Sequence, residues 1–345
     1  MHLNLQLCSL LPTFVPAGFV DVGHSVVRDA STGTNLVIVD SVQSLANHIE
    51  ATLLSQPGEV IAGLEAMPFV RLTITDPAGR TRITSSLELP HRLASGWFCK
   101  AKELKSFQDS LASDILDNGI AAATFRRCPN SLLHGVFYSQ LAGLNPNVSK
   151  TSRLLSAEVV AIGAQSVSDG GVSRDPMTVK GDFDLEGTLL PPSKEAVQVG
   201  DNKASKYGIG YIPYRHQAFI AERIELAIYL AEGRLARLEI SDAAKDVLRL
   251  LARFKLARLL ATPLDLRAHC IFQAKEGEVP EDLQDPDGLL QALQQKLADC
   301  KEQGLFSDPP VTEFALTLGA AKEKGRKGKG GPAVVSADAE EEAEG

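Results

Sequence analysis

The chain has 345 residues, 44% of them hydrophobic and 23% charged, with a formal charge of −8 from 35 Lys+Arg against 43 Asp+Glu. Such a length buries a sizeable core in one large domain or two, and the acidic balance excludes a protein that coats nucleic acid over a broad basic surface. Binding confined to a local basic groove stays open, because a cleft of one sign focuses its field.

Cys8, Cys99, Cys128, Cys270 and Cys300 are scattered and show no metal-ligand spacing, so neither a metal site nor a disulfide framework is expected, and no cofactor. No run approaches the roughly 18 apolar residues of a membrane span, and Leu3–Leu11 has no basic leader. The expectation is a cytoplasmic protein without membrane contact.

Residues 10–40 read as β structure around turns, with Leu36–Val39 a short buried strand. A helix begins at Asp40, which can cap it with Gln43 as capping-box partner; Val42, Leu45, Ala46, Ile49 and Leu53 form its apolar stripe. Phe69–Thr75 and Arg80–Thr84 read as a hairpin around Asp76-Pro77-Ala78-Gly79. The hydroxyl-rich stretch Thr84–Ser95 carries His91 and Arg92, which suit phosphate contact or, with Glu88 orienting the imidazole, nucleophilic catalysis. Lys102–Leu116 has Leu104, Phe107, Leu111 and Ile115 on one face and reads as an amphipathic helix ending near Asn118-Gly119.

From Gly119 to Ala157 there is no Asp or Glu, while Arg126, Arg127, Lys150 and Arg153 are present with His134 and Tyr138 among them. Phe125–Asn130 reads as a basic strand end and turn. Leu132–Ser139 reads as a core strand in which Gly135 permits close backbone approach or a bulge. Arg153–Val167 reads as a long strand. Regular patterning is then lost over 168–217, a Gly- and Pro-rich insertion of a length that is normally functional or mobile. Its far end opens a second acid-free stretch, Asn202–Ile220, with Lys203, Lys206, Tyr207, Tyr211, Tyr214 and Arg215. Aromatic faces, glycines and cations are the ingredients of single-strand binding. Both acid-free stretches are expected to face a phosphate backbone; a buried strand pair and a Tyr/Pro loop are the structural alternatives.

Ile224–Leu230 alternates as a half-buried strand, and Ser241 or Asp242 caps a long helix that stops before Pro263. Lys245, Arg249 and Arg253 make a basic row on that helix, the usual mark of a solvated face. Leu264–Phe272 reads as a strand carrying Arg267, and Pro286 starts a last helix that reaches Gly304. Past Leu318, Lys322–Lys329 is basic and Gly-rich and Asp338–Glu344 acidic. The expectation is one domain over 1–318 and a disordered tail over 319–345.

Five stretches taken together resemble one family: Phe14–Phe19 with Asp21-Val22-Gly23, Asp40–Glu50, Thr84–Ser95, Asn130–Phe137 and Leu264–Ala268. They are similar to the backbone subunit, a RAMP protein, of a type I CRISPR surveillance complex (Cascade) of the subtype once called U and now G. The resemblance spans roughly 10–275. It implies an α+β fold with a ferredoxin-like, RNA-recognition-type core, large insertions, and a palm with finger and thumb extensions. It further implies a non-enzymatic role in antiviral defence: copies aligned head to tail along a guide crRNA, holding it for pairing with a target DNA strand. Other Cascade subunits and a helicase-nuclease would be the remaining partners. The phosphate-facing residues would then be Arg126, Arg127, His134, Lys150, Arg153, Lys203, Lys206, Tyr207, Tyr211, Arg215, His91 and Arg92. An RNA-processing endonuclease using His91 or His134, or a metabolic α+β enzyme with a lid loop, are the competing expectations.

Overall fold

The structure, a computed structural model, describes residues 1–19, 23–144, 149–174 and 211–318, with the backbone alone over 169–174 and 211–216. Its centre is a seven-stranded sheet in the spatial order β14 (Leu264–Arg267), β15 (Cys270–Ala274), β1 (His2–Leu7), β13 (Arg223–Leu230), β10 (Leu155–Ile162), β5 (Asn35–Asp40), β4 (Val26–Arg28). Every neighbouring pair in it is antiparallel.

Alternation explains the strands. Leu3 and Leu5 of β1, Leu155, Ala157, Val159 and Ala161 of β10, and Ile224, Leu226 and Ile228 of β13 point to one buried face. Two helices cover that face. Helix α1 (Val42–Ala51) buries Leu45, Ala46 and Ile49, and the long helix Asp242–Leu260 buries Val247, Leu248 and Leu251. Four central strands, β15–β1–β13–β10, with α1 falling in sequence between β1 and β10 and the long helix between β13 and β15, make a β-α-β-β-α-β unit. This is the ferredoxin-like arrangement. The molecule is a mixed α+β fold of the RNA-recognition type with insertions, as expected.

The insertions carry the remaining elements. Between α1 and β10 come the small pair β6 (Leu54–Gln56) and β7 (Glu59–Val60), then the hairpin β8 (Phe69–Thr75) and β9 (Thr81–Ser85). The helices α2 (Gly96–Cys99), α3 (Lys105–Arg127) and α4 (Pro129–His134) follow. Strand β16 (Val311–Thr317) returns to pair in parallel with β8. Near the N-terminus, β2 (Gly18–Phe19) pairs with β3 (Gly23–His24). Strands β11 (Gln165–Arg174) and β12 (Tyr211–Ile220) form a separate ribbon that prolongs the β10–β13 hairpin. The last helices are α5 (Glu232–Ala236), α6 (the long helix, Asp242–Leu260) and α7 (Pro286–Glu302).

Several local expectations are corrected. Asp40 does not cap α1: Ser41 does, accepting from the Ser44 amide, while the Asp40 carboxylate is buried against Arg267. Phe125–Asn130 and Leu132–Ser139 are not strands. The helix starting at Lys105 continues to Arg127, interrupted only where Gly119 takes φ 81°, and Pro129 starts a further helical turn. Pro at the first helical position keeps its fixed φ and loses no needed donor. Arg153–Val167 breaks into β10 and β11, and Leu264–Phe272 is a hairpin turning at His269, whose φ is 60°. Both arms of the 168–217 insertion are paired strand, Ser168–Arg174 against Tyr211–Gln217. Residues 175–210, like the tail expected over 319–345, lie outside the described residues.

Candidate nucleic-acid interface

The acid-free stretch divides into two unlike halves. In the first, the C-terminal half of α3 turns Arg126 and Arg127 back onto Asp114, one helix segment earlier. Arg126 Nη1 donates to Asp114 Oδ1 at 2.7 Å and Arg127 Nη1 donates to Oδ2. Arg127 is buried and also donates to the Ala123 and Ser110 carbonyls. Burial pushes the Asp114 carboxyl up, but the hydrogen bonds from Arg127 and Asn118 and the two guanidinium charges outweigh it and hold it below the ordinary carboxylate range. The expected phosphate-facing role of Arg126 and Arg127 meets two cations that share one buried carboxylate.

The second half is open. After α4, Gly135 takes φ 80° and lets residues 135–138 run antiparallel to 149–153. The Tyr138 amide donates to the Ser149 carbonyl at 2.8 Å, the Thr151 amide to Val136 at 2.9 Å, and the Leu154 amide to Leu133 at 2.9 Å. A Cβ on residue 135 would stand 2.9 Å from the Arg153 nitrogen and 3.0 Å from the Thr151 oxygen. Glycine there is a requirement of close approach as well as of φ. Phe137 and Lys150 are directly opposed in this bridge, so their side chains leave on the same side. Phe137 is 53% exposed, and Lys150 is exposed as well.

Two further cations adjoin them. Arg153 is half-buried; its Nη1 donates to the Val42 carbonyl at 2.9 Å and its Nε to the His134 carbonyl at 3.4 Å. Arg234, exposed on α5, donates to the Arg153 carbonyl at 2.6 Å. Among the described residues no carboxylate pairs with Lys150, Arg153 or Arg234. The exposed Phe137 ring opposite the Lys150 ammonium can stack a base and meet its phosphate, and Arg153 and Arg234 add positive charge farther along the same segment.

Behind this face lies a buried polar cluster. Glu50 accepts from Arg92 Nε (2.7 Å) and Asn130 Nδ2 (2.7 Å) at Oε1 and from Arg92 Nη2 (2.6 Å) at Oε2. Lys255, with 0% exposure, donates to Asn130 Oδ1 and lies 2.6 Å from His134 Nε2. Burial, joined by the charges of Lys255, Arg92 and Arg153, holds the His134 ring well below its ordinary value and therefore neutral. Burial also pushes the Lys255 ammonium down to about 7, Glu50 opposing and Arg92 adding. Arg92 and His134, both expected to reach RNA, thus sit inside the fold, Arg92 with φ 53° and His134 with its imidazole enclosed. His91, next to Arg92, is exposed.

Residues 12–166 match the model of a family described as CRISPR-associated protein GSU0053. The match indicates a CRISPR-associated protein family. No curated protein matches the chain. The CRISPR-associated match includes Phe137, Lys150 and Arg153, together with Glu50, Arg92, Asn130 and His134; Arg234 and Lys255 come from beyond it. The resemblance stretches Asp40–Glu50, Thr84–Ser95 and Asn130–Phe137 therefore converge on one cluster, Glu50, Arg92, Asn130 and His134.

Of the remaining expected contacts, Tyr211 and Arg215 fall in β12, opposite Arg174 and Gly170. Lys203, Lys206 and Tyr207 lie outside the described residues. Reading the sequence missed Phe137 and Arg234 on the open face, and Glu50, Asn130 and Lys255 in the buried cluster behind it. The signal for Phe137 was present: an aromatic two residues past a glycine inside an acid-free stretch. Nothing local marked Arg234 or Lys255. Among the described residues no group of three or more His, Cys, Asp or Glu is placed to hold a metal ion, and no helix is long and apolar enough to cross a membrane.

Proposed function

We propose that the chain is a backbone subunit that binds guide crRNA, with the single strand running over Phe137, Lys150, Arg153 and Arg234. The guide's spacer is held there for pairing with a target DNA strand, and cleavage belongs to a separate partner. The observation that carries the reading is the Phe137–Lys150 bridge, which sets an exposed aromatic ring and an exposed ammonium on one side of a rigid pair. The RNA-recognition-type core and the CRISPR-associated match support it. The β11–β12 ribbon, in which Tyr211, Tyr214 and Arg215 pair in register with Arg174, Gly171 and Gly170, extends the same hairpin. Head-to-tail repetition of copies along one guide follows from repeated identical contacts to an extended polymer.

Fluorescence anisotropy with a labelled oligouridylate across a salt series tests this directly. Binding that weakens with salt, and long assemblies formed only with RNA, are the expected results. Absence of RNA binding at low salt, or a tight two-fold dimer indifferent to RNA, would overturn the reading. Cleavage of the probe would favour the endonuclease instead.

A further inference from the structure

The buried cluster is out of charge balance. Arg92, Arg153 and Lys255 supply three basic groups around one carboxylate, Glu50, and both Glu50 oxygens are taken by Arg92 and Asn130. Arg153 is left with two backbone carbonyls as its only acceptors among the described residues. Carbonyl dipoles solvate a guanidinium only in part, and a half-buried cation without an anion is costly. Arg234, bonded to the Arg153 carbonyl, brings a further unpaired cation to the same edge.

His134 joins the edge to the interior. Its carbonyl accepts from Arg153, and its imidazole Nε2 faces Lys255 Nζ at 2.6 Å. With Nε2 accepting from the lysine, the ring proton sits on Nδ1, which is buried and has no partner among the described residues. Every charged or titratable group bearing on Lys255 is then identified: Glu50 from α1, Arg92 from the turn after β9, Cys128 at the end of α3, and His134 with Asn130 from α4. Cys128 is a buried thiol whose titration burial pushes up, so it adds no charge near neutrality.

We propose that the Arg153–Arg234 edge of this cluster is a site for one phosphate group, and that filling it draws a proton from solvent onto the buried Lys255–His134 pair. The proposal rests on the RNA-binding reading and adds its regulation: binding of a backbone phosphate is tied to proton uptake in the core. A dianionic or monoanionic oxygen cluster at Arg153 restores the charge balance, so Lys255 keeps its ammonium form where it would otherwise shed a proton. That Lys255 titrates at about 7 in the unfilled cluster places the exchange near neutral pH. No bond other than N–H forms; the proton comes from buffer and returns to it on release. Free phosphate and an RNA backbone phosphate share the chemistry, and the test separates them.

The experiment is isothermal titration calorimetry of the full chain at pH 7 with oligouridylate, and separately with inorganic phosphate, each in two buffers of different ionisation enthalpy. The expected result is uptake of a fraction of a proton per chain on RNA binding, since the buried lysine is partly deprotonated near neutral pH. Lys255→Met should abolish the uptake while RNA still binds, and Arg153→Gln should weaken binding on the order of tenfold, the loss expected for a charged hydrogen-bonding partner. Should Lys255→Met fold poorly, His134→Gln, which removes the other half of the proton-holding pair, serves in its place. RNA binding without proton uptake, or uptake that persists in both variants, overturns the inference and leaves the RNA-binding reading standing. Absence of RNA binding removes that reading instead. The inorganic phosphate titration then decides the site alone: uptake lost in Arg153→Gln supports it, and no uptake overturns it.

Discussion

The two halves of the acid-free stretch carry similar side chains and have opposite fates. Arg126 and Arg127 end a helix whose earlier turns include Asp114, and the break at Gly119 folds the two helical segments so that this acid meets them. Lys150 and Arg153 lie on an extended segment pinned to residues 133–138, where no carboxylate forms an ion pair with them among the described residues. A gap in the sequence of charges says nothing about pairing when a break in a helix, here at Gly119, can bring an acid back from a dozen positions away. Charge becomes available to a ligand where the chain is extended and its neighbours come from a neutral stretch.

Mutation should separate the halves, the largest effect falling at the paired end. Asp114→Asn leaves Arg127 buried without its anion and should cost about 3–5 kcal/mol, read as a lowered urea midpoint, with RNA affinity per folded molecule unchanged. Because the folded Asp114 carboxyl is held below its ordinary range, its contribution is present above the unfolded value and is lost as pH falls through the folded one, so the wild type should lose stability in acid more steeply than the variant.

Lys255 gives the same sign of slope in a higher pH window. Its folded value of about 7 lies below the ordinary 10.5. The unfolded chain binds the extra proton between the two, so stability should rise with pH across that window and flatten in Lys255→Met, as urea midpoints at neutral and alkaline pH would read. At the open end, Phe137→Ala should weaken RNA binding by about 1–3 kcal/mol with an unchanged salt slope and an unchanged melting temperature. Lys150→Ala with Arg234→Ala should flatten the slope of log affinity against log salt by about 1.4, as two lost phosphate contacts predict. Arg126→Ala closes the series: its side chain is 36% exposed, and a loss of only about 0.2–1 kcal/mol in stability is expected, with no change in RNA affinity. A large RNA defect there would break the division of the stretch into a paired and an open half.

The elements that could be read from the sequence are those whose pattern is local. The alternation in Ile224–Leu230, the turn at Asp76–Gly79 and the Ser241 cap all act within a few residues, and each stands in the structure. Where an apolar run is short, as in Leu132–Ser139, periodicity does not separate strand from helix, and Pro129 decided the matter by starting a turn. The 4-1-3-2 strand order joins residues more than 200 positions apart and has no local mark. The buried cluster was illegible for the same reason: Glu50, Arg92, Asn130 and Lys255 are each ordinary alone, and only their convergence makes them unusual. Gly135 is the intermediate case, since close backbone approach was readable while its partner, the 151–153 segment, was not.

Strand β1 sits between β13 and β15, its register set by Leu226 on one side and Gln273 on the other. It is therefore made long before either strand it pairs with and is among the last to acquire neighbours. At roughly 5–20 residues per second, about 15–55 s pass between synthesis of Leu5 and of the Ala274 it pairs with. Until Ile224 of β13 is made, the apolar face of Leu3 and Leu5 has no sheet to join, and the nascent chain presents an unpaired edge to every other chain around it. The cell's handling of this protein during synthesis is thus set by the topology of its sheet.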